Sequence, residues 1–343
     1  MKKRRVKRRR SKRLLARALA ALSTFVIGIA LFITNLYVPL KYFTEFTVKP
    51  TVNEEGFLRV TFIDVDFGDS ILVEFPDGKT ALIDCGNGAY PNNAKILRVL
   101  NSYGIDKLDY LVCTSVKSEH CGGISEILKY KEVDCAFIPY CKNKRITDGF
   151  YSAVKALEKS NAEIIYSAVG YGIGGGDYFL TFLSPVSHLS QTSEYAGLNT
   201  DPNRENVDNA SAVLWLSYKG IDFALTSDAR PAVFERILKE YEICTEIGQP
   251  FCKYLDNEVF LEECDVVTVP GHAGKDNTYA ELYDVLAPSS AVISVGKNFA
   301  DYPSGAAVSD ICNYCDPFYT MYDGSVTATV GPQGGFKISA DGK

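Results

Sequence analysis

Two stretches at the start of this chain lack charge: the first lacks acidic residues only, and the second lacks charge of either sign. The first 17 residues contain no Asp or Glu but hold eleven of the 36 Lys and Arg, so the remainder, which has all 42 acidic residues, carries a net charge of −17. Residues 18–40 contain no charged side chain of either sign. A helix of this length extends about 34 Å, and the apolar core of a bilayer is about 30 Å thick. The pattern therefore predicts a transmembrane helix.

The flanking residues indicate the orientation of this segment. Because the positive charge lies on its N-terminal side, the positive-inside rule places residues 1–17 in the cytoplasm and the rest of the chain outside the cell membrane. A cleaved signal peptide is the alternative, but its apolar region is usually about 7–15 residues long, and residues 36–40 offer no small-x-small cleavage site. The basic run is also a pattern of nucleic-acid binding, although its position favours contact with anionic lipid. We predict a single-pass anchor with a cytoplasmic tail at 1–17, a transmembrane helix at 18–40 and a juxtamembrane linker at 41–56.

Two common ligand motifs are incomplete in the remainder. The glycine-rich stretch 170–177 lacks the Lys-Ser/Thr of a phosphate-binding loop, so we predict an ordinary loop there. Cys312 and Cys315 form a CxxC pair, a zinc half-site or redox pair, with no second CxxC to complete a zinc site.

Cys244 and Cys252 flank a short segment containing Gly and Pro, and outside the membrane they would meet oxidising conditions. We predict a disulfide between these two.

Short apolar strands and amphipathic helices alternate over residues 57–340. In the first half the pattern predicts strands at 57–63, 70–75, 79–84, 109–114, 135–139 and 163–166, and helices at 92–102, 123–130 and 151–159. In the second half it predicts strands at 178–183, 212–218, 221–226, 266–269, 291–295, 325–330 and 335–338, and helices at 232–241 and 279–286. Each half opens on hairpins and then alternates helices with strands. This order favours two mixed sheets packed face to face, with helices outside.

Four segments at predicted strand ends share a pattern with one family. They are FIDVDFGDS at 62–70 with LIDCG at 82–86, LVCTSVKSEHCGG at 111–123, NASAVL at 209–214 with FALTSDA at 223–229, and VPGHAG at 269–274. In order and spacing they resemble the metallo-β-lactamase domain of the ComEC-type DNA-uptake proteins, including stand-alone forms fixed to a membrane. The corresponding family patterns are approximately FLDVGQGDS…LIDAG, LxLTHxHxDHxGG, NxSLVL…FLLTGDA and VPHHGS. The resemblance implies an α/β (α+β) fold, a four-layer αββα metallo-β-lactamase sandwich at 57–340 after the transmembrane helix.

The chain departs from this family at several ligand positions. Ser115 and Lys117 stand where the family has the first two histidines of HxHxDH, and Glu119 stands for the aspartate, whereas His120 is kept. Serine is a poor ligand and a protonated lysine cannot coordinate a metal, which argues against a two-cation centre. We expect the Lys117 ammonium to occupy the space of the first cation and to pair with Glu119 or Asp228, with a solvated surface lysine as the alternative.

The second cation position is better preserved. Asp228 falls on the family's ligand aspartate, and His272 on one of its paired histidines. The resemblance thus implies one Zn or Mn ion at most, or none, on Glu119, His120, Asp228 and His272, with Asp228 and His120 as the catalytic residues if the protein is active. Two further departures are Asp66 and Phe67 in place of Gly-Gln in the first segment. The expected cleft also includes Asp69, Asp84, Ser115, Lys117 and Tyr302, the last of these replacing a late histidine.

Three functions remain open. The first is a hydrolase of metal-dependent, phosphodiesterase-like ancestry with a degenerate site and weak or altered activity. The second is a pseudoenzyme that binds a ligand or an envelope or DNA-uptake partner, and the third is a structural ectodomain. The net charge of −17 disfavours broad nucleic-acid binding, which depends on Lys and Arg at the phosphates. Small phosphate esters, or no substrate at all, fit this charge better. The other expected partner is membrane lipid, through residues 1–40.

Overall fold

The computed structural model describes residues 54–141, 146–186, 204–246, 252–254, 257–259, 263–277, 279–297 and 301–342, together with Ser23. The chain divides into two units, 1–49 and 50–343. The predicted basic tail, the predicted membrane helix apart from Ser23, and the linker up to residue 53 lie outside the described residues. Within the described part of the chain, no helix has the length and apolar character needed to cross a membrane.

The first sheet contains the N- and C-terminal strands of the second unit. Its strands are β1 (Leu58–Phe62), β2 (Ile71–Glu74), β3 (Thr80–Ile83), β4 (Lys107–Val112), β5 (Glu132–Ile138), β6 (Glu163–Tyr166), β16 (Val326–Val330) and β17 (Phe336–Ala340). They lie in the order β17-β16-β1-β2-β3-β4-β5-β6, antiparallel up to β3 and parallel from β3 to β6. The parallel strands are joined through α1 (Tyr90–Ser102), α2 (Ser118–Cys121), α3 (Ile124–Ile127) and α4 (Asp148–Leu157). Parallel neighbours need such crossover connections.

The second sheet follows in the chain. Its strands are β7 (Gly172–Gly175), β8 (Tyr178–Ser184), β9 (Val213–Tyr218), β10 (Ile221–Leu225), β13 (Val266–Thr268), β14 (Ser290–Ile293) and β15 (Phe318–Tyr319), in the order β15-β14-β13-β10-β9-β8-β7. The helices are α5 (Arg204–Asn209), α6 (Pro231–Glu246), α7 (Pro270–Ala273), α8 (Ala280–Leu286), α9 (Gly305–Cys312) and α10 (Thr320–Asp323), with a 3₁₀ turn at Lys275–Asn277. A separate hairpin pairs β11 (Cys252–Tyr254) with β12 (Asn257–Val259).

Two buried clusters show how these layers pack. The larger cluster combines Phe62 of the first sheet with Phe182 and Phe223 of the second, so the two sheets pack face to face. The other cluster combines Trp215 of β9 with Phe234 of α6, along with residues of α8 and α9. Helices therefore cover the outer face of the second sheet. The described residues form the predicted mixed α/β arrangement of two sheets.

The prediction of an ordinary loop at 170–177 is wrong, because Gly172–Gly175 forms the edge strand β7, antiparallel to β8. A Cβ atom on Gly172 would lie 2.3 Å from the carbonyl oxygen of Leu180. Glycine is therefore required by the close approach of the two strands. A run of glycines has no hydrophobic alternation, so the usual sign of a strand is missing there.

The predicted disulfide between Cys244 and Cys252 is not formed, since Cys244 is a free thiol. The helix α6 continues to Glu246 and includes Cys244 in its last turn. The helical pattern predicted that this helix ends at residue 241. The backbone of Cys244 is helical instead, and the connecting segment starts only after it.

Candidate functional site

The loops that follow several strands meet at one cleft. Asp84 directly follows β3, the turn 115–120 follows β4, and Asp228 lies shortly after β10. His272 lies in α7, directly after β13. Ligand sites in sheets with parallel strands are commonly formed at these carboxyl ends. The backbone φ angles of Asp84 (60°) and His272 (56°) are left-handed, a costly conformation for side-chain-bearing residues that is concentrated at functional sites.

His120 is completely buried and faces a carboxylate on each side of its ring. Its Nδ1 lies 2.8 Å from Oδ2 of Asp84, and its Nε2 lies 3.1 Å from Oδ2 of Asp228. The backbone N–H of Thr114 also donates to Asp84, at 2.8 Å. Burial lowers the pKa of His120, but the charges of Asp228 and Asp84 outweigh burial and raise this pKa well above its usual value. Asp84 thus fixes the ring with Nε2 directed at Asp228.

His272 is oriented by a backbone acceptor. Its Nδ1 lies 2.8 Å from the carbonyl oxygen of Ser294. A carbonyl oxygen can only accept, so Nδ1 carries the proton and Nε2 of the neutral ring keeps its lone pair. This Nε2 lies 3.6 Å from Oδ1 of Asp228, and it has no hydrogen-bond partner among the described residues. The rings of His272 and His120 stack with centroids 5.5 Å apart.

Lys117 forms a buried ion pair beside the two histidines. Its Nζ lies 2.6 Å from Oδ2 of Asp228 and 2.7 Å from Oδ1 of Asp208, but 3.9 Å from Oε1 of Glu119. Of the two expected partners, Asp228 is therefore the close one. Burial opposes ionisation of Asp228, yet the charges of His120 and Lys117 hold its pKa well below the usual range. The pKa of Lys117 is raised, because Asp228 and Asp208 outweigh the effect of burial.

Asp208 is a site residue that sequence reasoning missed. Besides Lys117, it accepts a hydrogen bond from Nε of Arg230 at 2.9 Å, and its side chain is only 3% exposed. Burial raises the pKa of Asp208, although Lys117 and Arg230 oppose this effect. The residue directly precedes Asn209, the start of the third motif. That adjacency is the one sequence signal for its role.

The cleft has a volume of about 450 Å³. Of the predicted site residues, Lys117, Glu119, Asp228, His272 and Tyr302 line it. The others do not. His120 and Asp84 are buried behind Asp228, Ser115 is buried with its Oγ 3.3 Å from the backbone N–H of Lys117, and Asp69 faces the Nδ1 atoms of the histidines.

Two sets of atoms compete as a metal site. Ligand atoms of Asp69, His120 and His272 lie within 4.8 Å of one another. However, Asp69 faces the Nδ1 atoms, at 3.6 Å and 3.9 Å, and those nitrogens already face Asp84 and the carbonyl of Ser294. A metal bound there would displace both contacts.

The opposite side of the rings fits a metal better. Nε2 of His272 and Oδ1 of Asp228 are buried and lack a hydrogen-bond partner among the described residues. Nε2 of His120 faces the other oxygen of Asp228 at 3.1 Å, so a metal bound here would displace this one contact and the proton on that nitrogen. Nitrogen and carboxylate oxygen are suitable ligands for Zn²⁺ or Mn²⁺. An acceptor on Nδ1 of each histidine is also the usual support for a ligand that binds through Nε2. A second cation does not fit, because the Lys117 ammonium lies 2.6 Å from the other oxygen of Asp228.

No protein-family model matches the chain. The chain is similar to ComE operon protein 3 of Bacillus subtilis (strain 168), with 26% identity over 266 residues. The predicted resemblance to the ComEC-type family is confirmed. The match covers 73% of this chain but only 30% of the relative, so the chain spans less than a third of that protein's length.

Solved structures similar to the chain carry related descriptions. One is the metallo-beta-lactamase fold protein YhfI from Bacillus subtilis, with a TM-score of 0.46 and 9% identity, covering 82% of this chain and all of that one. Another is Tm1679, a metal-dependent hydrolase of the beta-lactamase superfamily, with a TM-score of 0.43 and 14% identity, covering 83% of this chain and all of that one. The chain thus combines a mixed α/β arrangement of two sheets with a resemblance to the ComEC-type family.

Proposed function

We propose that this protein is a one-metal hydrolase in which the Lys117 ammonium replaces one of the two cations of the family's centre. The observation that carries the proposal is that both buried histidines direct Nε2 at the carboxylate of Asp228, beside its ion pair with Lys117. Nε2 of His120 lies 3.1 Å from Oδ2 of Asp228, and Nε2 of His272 lies 3.6 Å from Oδ1; the last two atoms have no hydrogen-bond partner among the described residues. A divalent cation at this point would act as a Lewis acid and would lower the pKa of a water molecule.

The chain's own residues would prepare the site for this chemistry. Asp228 directs one oxygen at Lys117 and the other toward His272, so it links the ammonium to the proposed metal ligands. Asp84 and the carbonyl of Ser294 fix the two histidine rings. The side chain of Lys117 is 17% exposed and lines the cleft, where its charge would stabilise negative charge that develops on a substrate.

We propose a small phosphate ester as the substrate, outside the cell membrane. The net charge of −17 after residue 17 weakens binding of a long polyanion, whereas a small anion meets only the local charges of the cleft. Lys117, Arg230 and Lys297 line that cleft, together with the acidic residues Glu119, Asp208, Asp228 and Asp276. Asp208 and Asp228 are the ion-pair partners of Lys117, and Asp208 also pairs with Arg230. The location rests on the basic and apolar segments 1–17 and 18–40, which would anchor the chain through membrane lipid.

A ligand-binding pseudoenzyme is the second candidate, and one observation favours it. Oδ2 of Asp228 already has two cationic neighbours, Lys117 at 2.6 Å and His120 at 3.1 Å. The carboxylate is therefore balanced by residues of the chain alone. In that case the cleft would bind a ligand, or an envelope or DNA-uptake partner, without hydrolysis.

Metal analysis of the full-length protein in detergent separates these candidates. After equilibration with Zn²⁺ or Mn²⁺, we expect about one bound equivalent in the wild type and a large loss in His272→Ala. The matched control is His188→Ala, at the one histidine outside the motifs. The loaded protein should also hydrolyse a small phosphate ester, and His272→Ala should not.

Each result has a definite meaning. Less than a tenth of an equivalent with both metals would contradict the hydrolase and favour the pseudoenzyme. Two equivalents would contradict the role given to Lys117. An equal loss of metal in the His188→Ala control would show that binding does not depend on the proposed ligands.

A further inference from the structure

Two departures from the family pattern meet in the cleft. Phe67 stands where the family has glutamine, and Tyr302 stands where it has a late histidine. Their ring centroids lie 5.4 Å apart, and the ring of Phe67 lies 4.7 Å from that of His272. Tyr302 meets His272 edge-on at 6.4 Å. Residues from distant parts of the chain thus form one aromatic wall, composed of Phe67, His272 and Tyr302.

The segment that carries Phe67 is held on both sides. Asp66 replaces a glycine of the family pattern and has a φ of 62°. Its backbone N–H donates to Oδ1 of Asp64 at 3.0 Å, and its own Oδ1 accepts from the backbone N–H of Lys297 at 2.7 Å. Nδ2 of Asn87 donates to the carbonyl oxygen of Phe67 at 3.2 Å. The position of Phe67 is therefore fixed before any ligand arrives.

The aromatic wall lies at the edge of the protein core, because Tyr302 packs against the cluster on the outer face of the second sheet and His272 is buried. Phe67 and Tyr302 are both partly exposed, and both line the cleft together with His272. An aromatic pair that served only packing would be covered by other side chains, as Phe62 and Phe182 are between the sheets. Here the rings leave apolar surface facing a polar cavity, where a ligand can cover it.

Cationic groups share the same cavity. Lys117 and Arg230 line it, with side chains 17% and 20% exposed, and their positions are set by Asp208. A ligand that contacts both parts of the cleft needs a flat apolar ring and a negatively charged group. Aromatic rings prefer offset or edge-on contacts with other rings, which a flat ligand can make and a puckered aliphatic ring cannot.

We propose that the cleft is selective for aryl phosphates, with the aromatic ring against Phe67 and Tyr302 and the phosphate toward Lys117 and Arg230. This inference relies on the proposed function for the identity of the site and adds the substrate class. The selectivity comes from residues of this chain that differ from the family pattern.

Calorimetric binding of two matched phosphates tests the inference. Phenyl phosphate and cyclohexyl phosphate have the same charge and similar size, but only the first is flat. We expect the full-length wild type to bind phenyl phosphate about three- to tenfold more tightly. This ratio should fall to about one in Phe67→Leu/Tyr302→Leu. The control is Tyr322→Leu, whose ring is 71% exposed and does not line the cleft, and it should keep the ratio.

Measuring with and without Zn²⁺ or Mn²⁺ separates this inference from the proposed function. If the protein prefers phenyl phosphate but binds no metal, the proposed aromatic wall is supported and the proposed hydrolase function is wrong. If the protein binds one equivalent of metal but binds the two phosphates equally well, the proposed selectivity of the aromatic wall is wrong and the proposed hydrolase function is unaffected. If the leucine variants weaken both phosphates equally, Phe67 and Tyr302 only support His272, and the inference is wrong. The ratio of the two affinities is measured within each variant. If the double variant does not fold, the single variants Phe67→Leu and Tyr302→Leu therefore test the inference.

Discussion

Removing the charge of Lys117 should destabilise the folded protein far more than removing an ordinary surface charge. Its Nζ lies 2.6 Å from Asp228 and 2.7 Å from Asp208, whose side chains are 1% and 3% exposed. The substitution Lys117→Met keeps most of the apolar stem but leaves both buried carboxylates without this partner. Asp228 would keep His120 as a neighbour, and Asp208 would keep Arg230.

The expected magnitude follows from these contacts. Removing one partner of a buried ion pair costs about 3–5 kcal/mol. Lys117 is 17% exposed, so water screens part of its charge, and the remaining contacts of the two carboxylates reduce the loss further. We therefore expect a decrease of about 2–3 kcal/mol in the free energy of unfolding. For a domain of this size that corresponds to a melting midpoint lower by about 4–8 °C.

Thermal unfolding of the full-length protein in detergent, followed by circular dichroism, measures this change. The matched control is Lys95→Met, because Lys95 pairs with Asp64 at 2.5 Å but the two side chains are 36% and 26% exposed. Such an exposed pair contributes less than about 1 kcal/mol. Equal midpoints for the two variants would refute the reasoning. Zn²⁺ should also raise the midpoint of Lys117→Met more than that of the wild type, since the ammonium no longer competes for the carboxylates.

Two further predictions concern the scaffold and pH. Gly123→Ala should lower the free energy of unfolding by about 1–3 kcal/mol, because the new Cβ would lie 2.1 Å from the carbonyl oxygen of Cys85. The control is Gly305→Ala, whose new Cβ would have no atom within 4 Å. It should have almost no effect in the same thermal assay. Burial raises the pKa of Asp77, but hydrogen bonds from Lys79 and Tyr178 outweigh it and lower this pKa below the usual 3.8. The stabilisation is therefore complete above pH 3.8 and is lost as the pH falls through the lowered pKa. The difference in unfolding free energy between wild type and Asp77→Asn, from denaturant titrations, should be constant between pH 6 and pH 5 and shrink as the pH falls below about 3.8. A difference that grows below this pH would contradict the sign.

Much of the fold was predictable because its signals are local. Short apolar runs located strands such as Glu163–Tyr166 without error in either bound, and helical spacing located Tyr90–Ser102 to within two residues. The failures have equally local causes. A strand of glycines has no side chains to alternate, and the helix that contains Cys244 continues past the last residue with clear helical spacing.

The candidate site was predictable only in part. The motifs identified His120, Asp228 and His272, since each follows a strand in a segment that resembles the family. They did not identify Asp208, because a carboxylate next to a motif has no signal of its own until Lys117 and Arg230 are placed around it. They also did not distinguish Asp228 from Glu119 as the close partner of Lys117, since both residues are acidic and sit in the motifs.

By itself, the amino-acid sequence determined the order of strands and helices, the separation of basic and acidic charge, and the presence of Ser115 and Lys117 where the ComEC-type pattern has histidines. These properties depend on residue type and on spacing over a few turns of chain. Only the tertiary structure decided which oxygens and nitrogens face one another, that Lys117 lies between two buried carboxylates, and that Phe67 and Tyr302 form one wall. Such contacts join residues far apart in the chain, and the packing of two sheets against each other sets their distances.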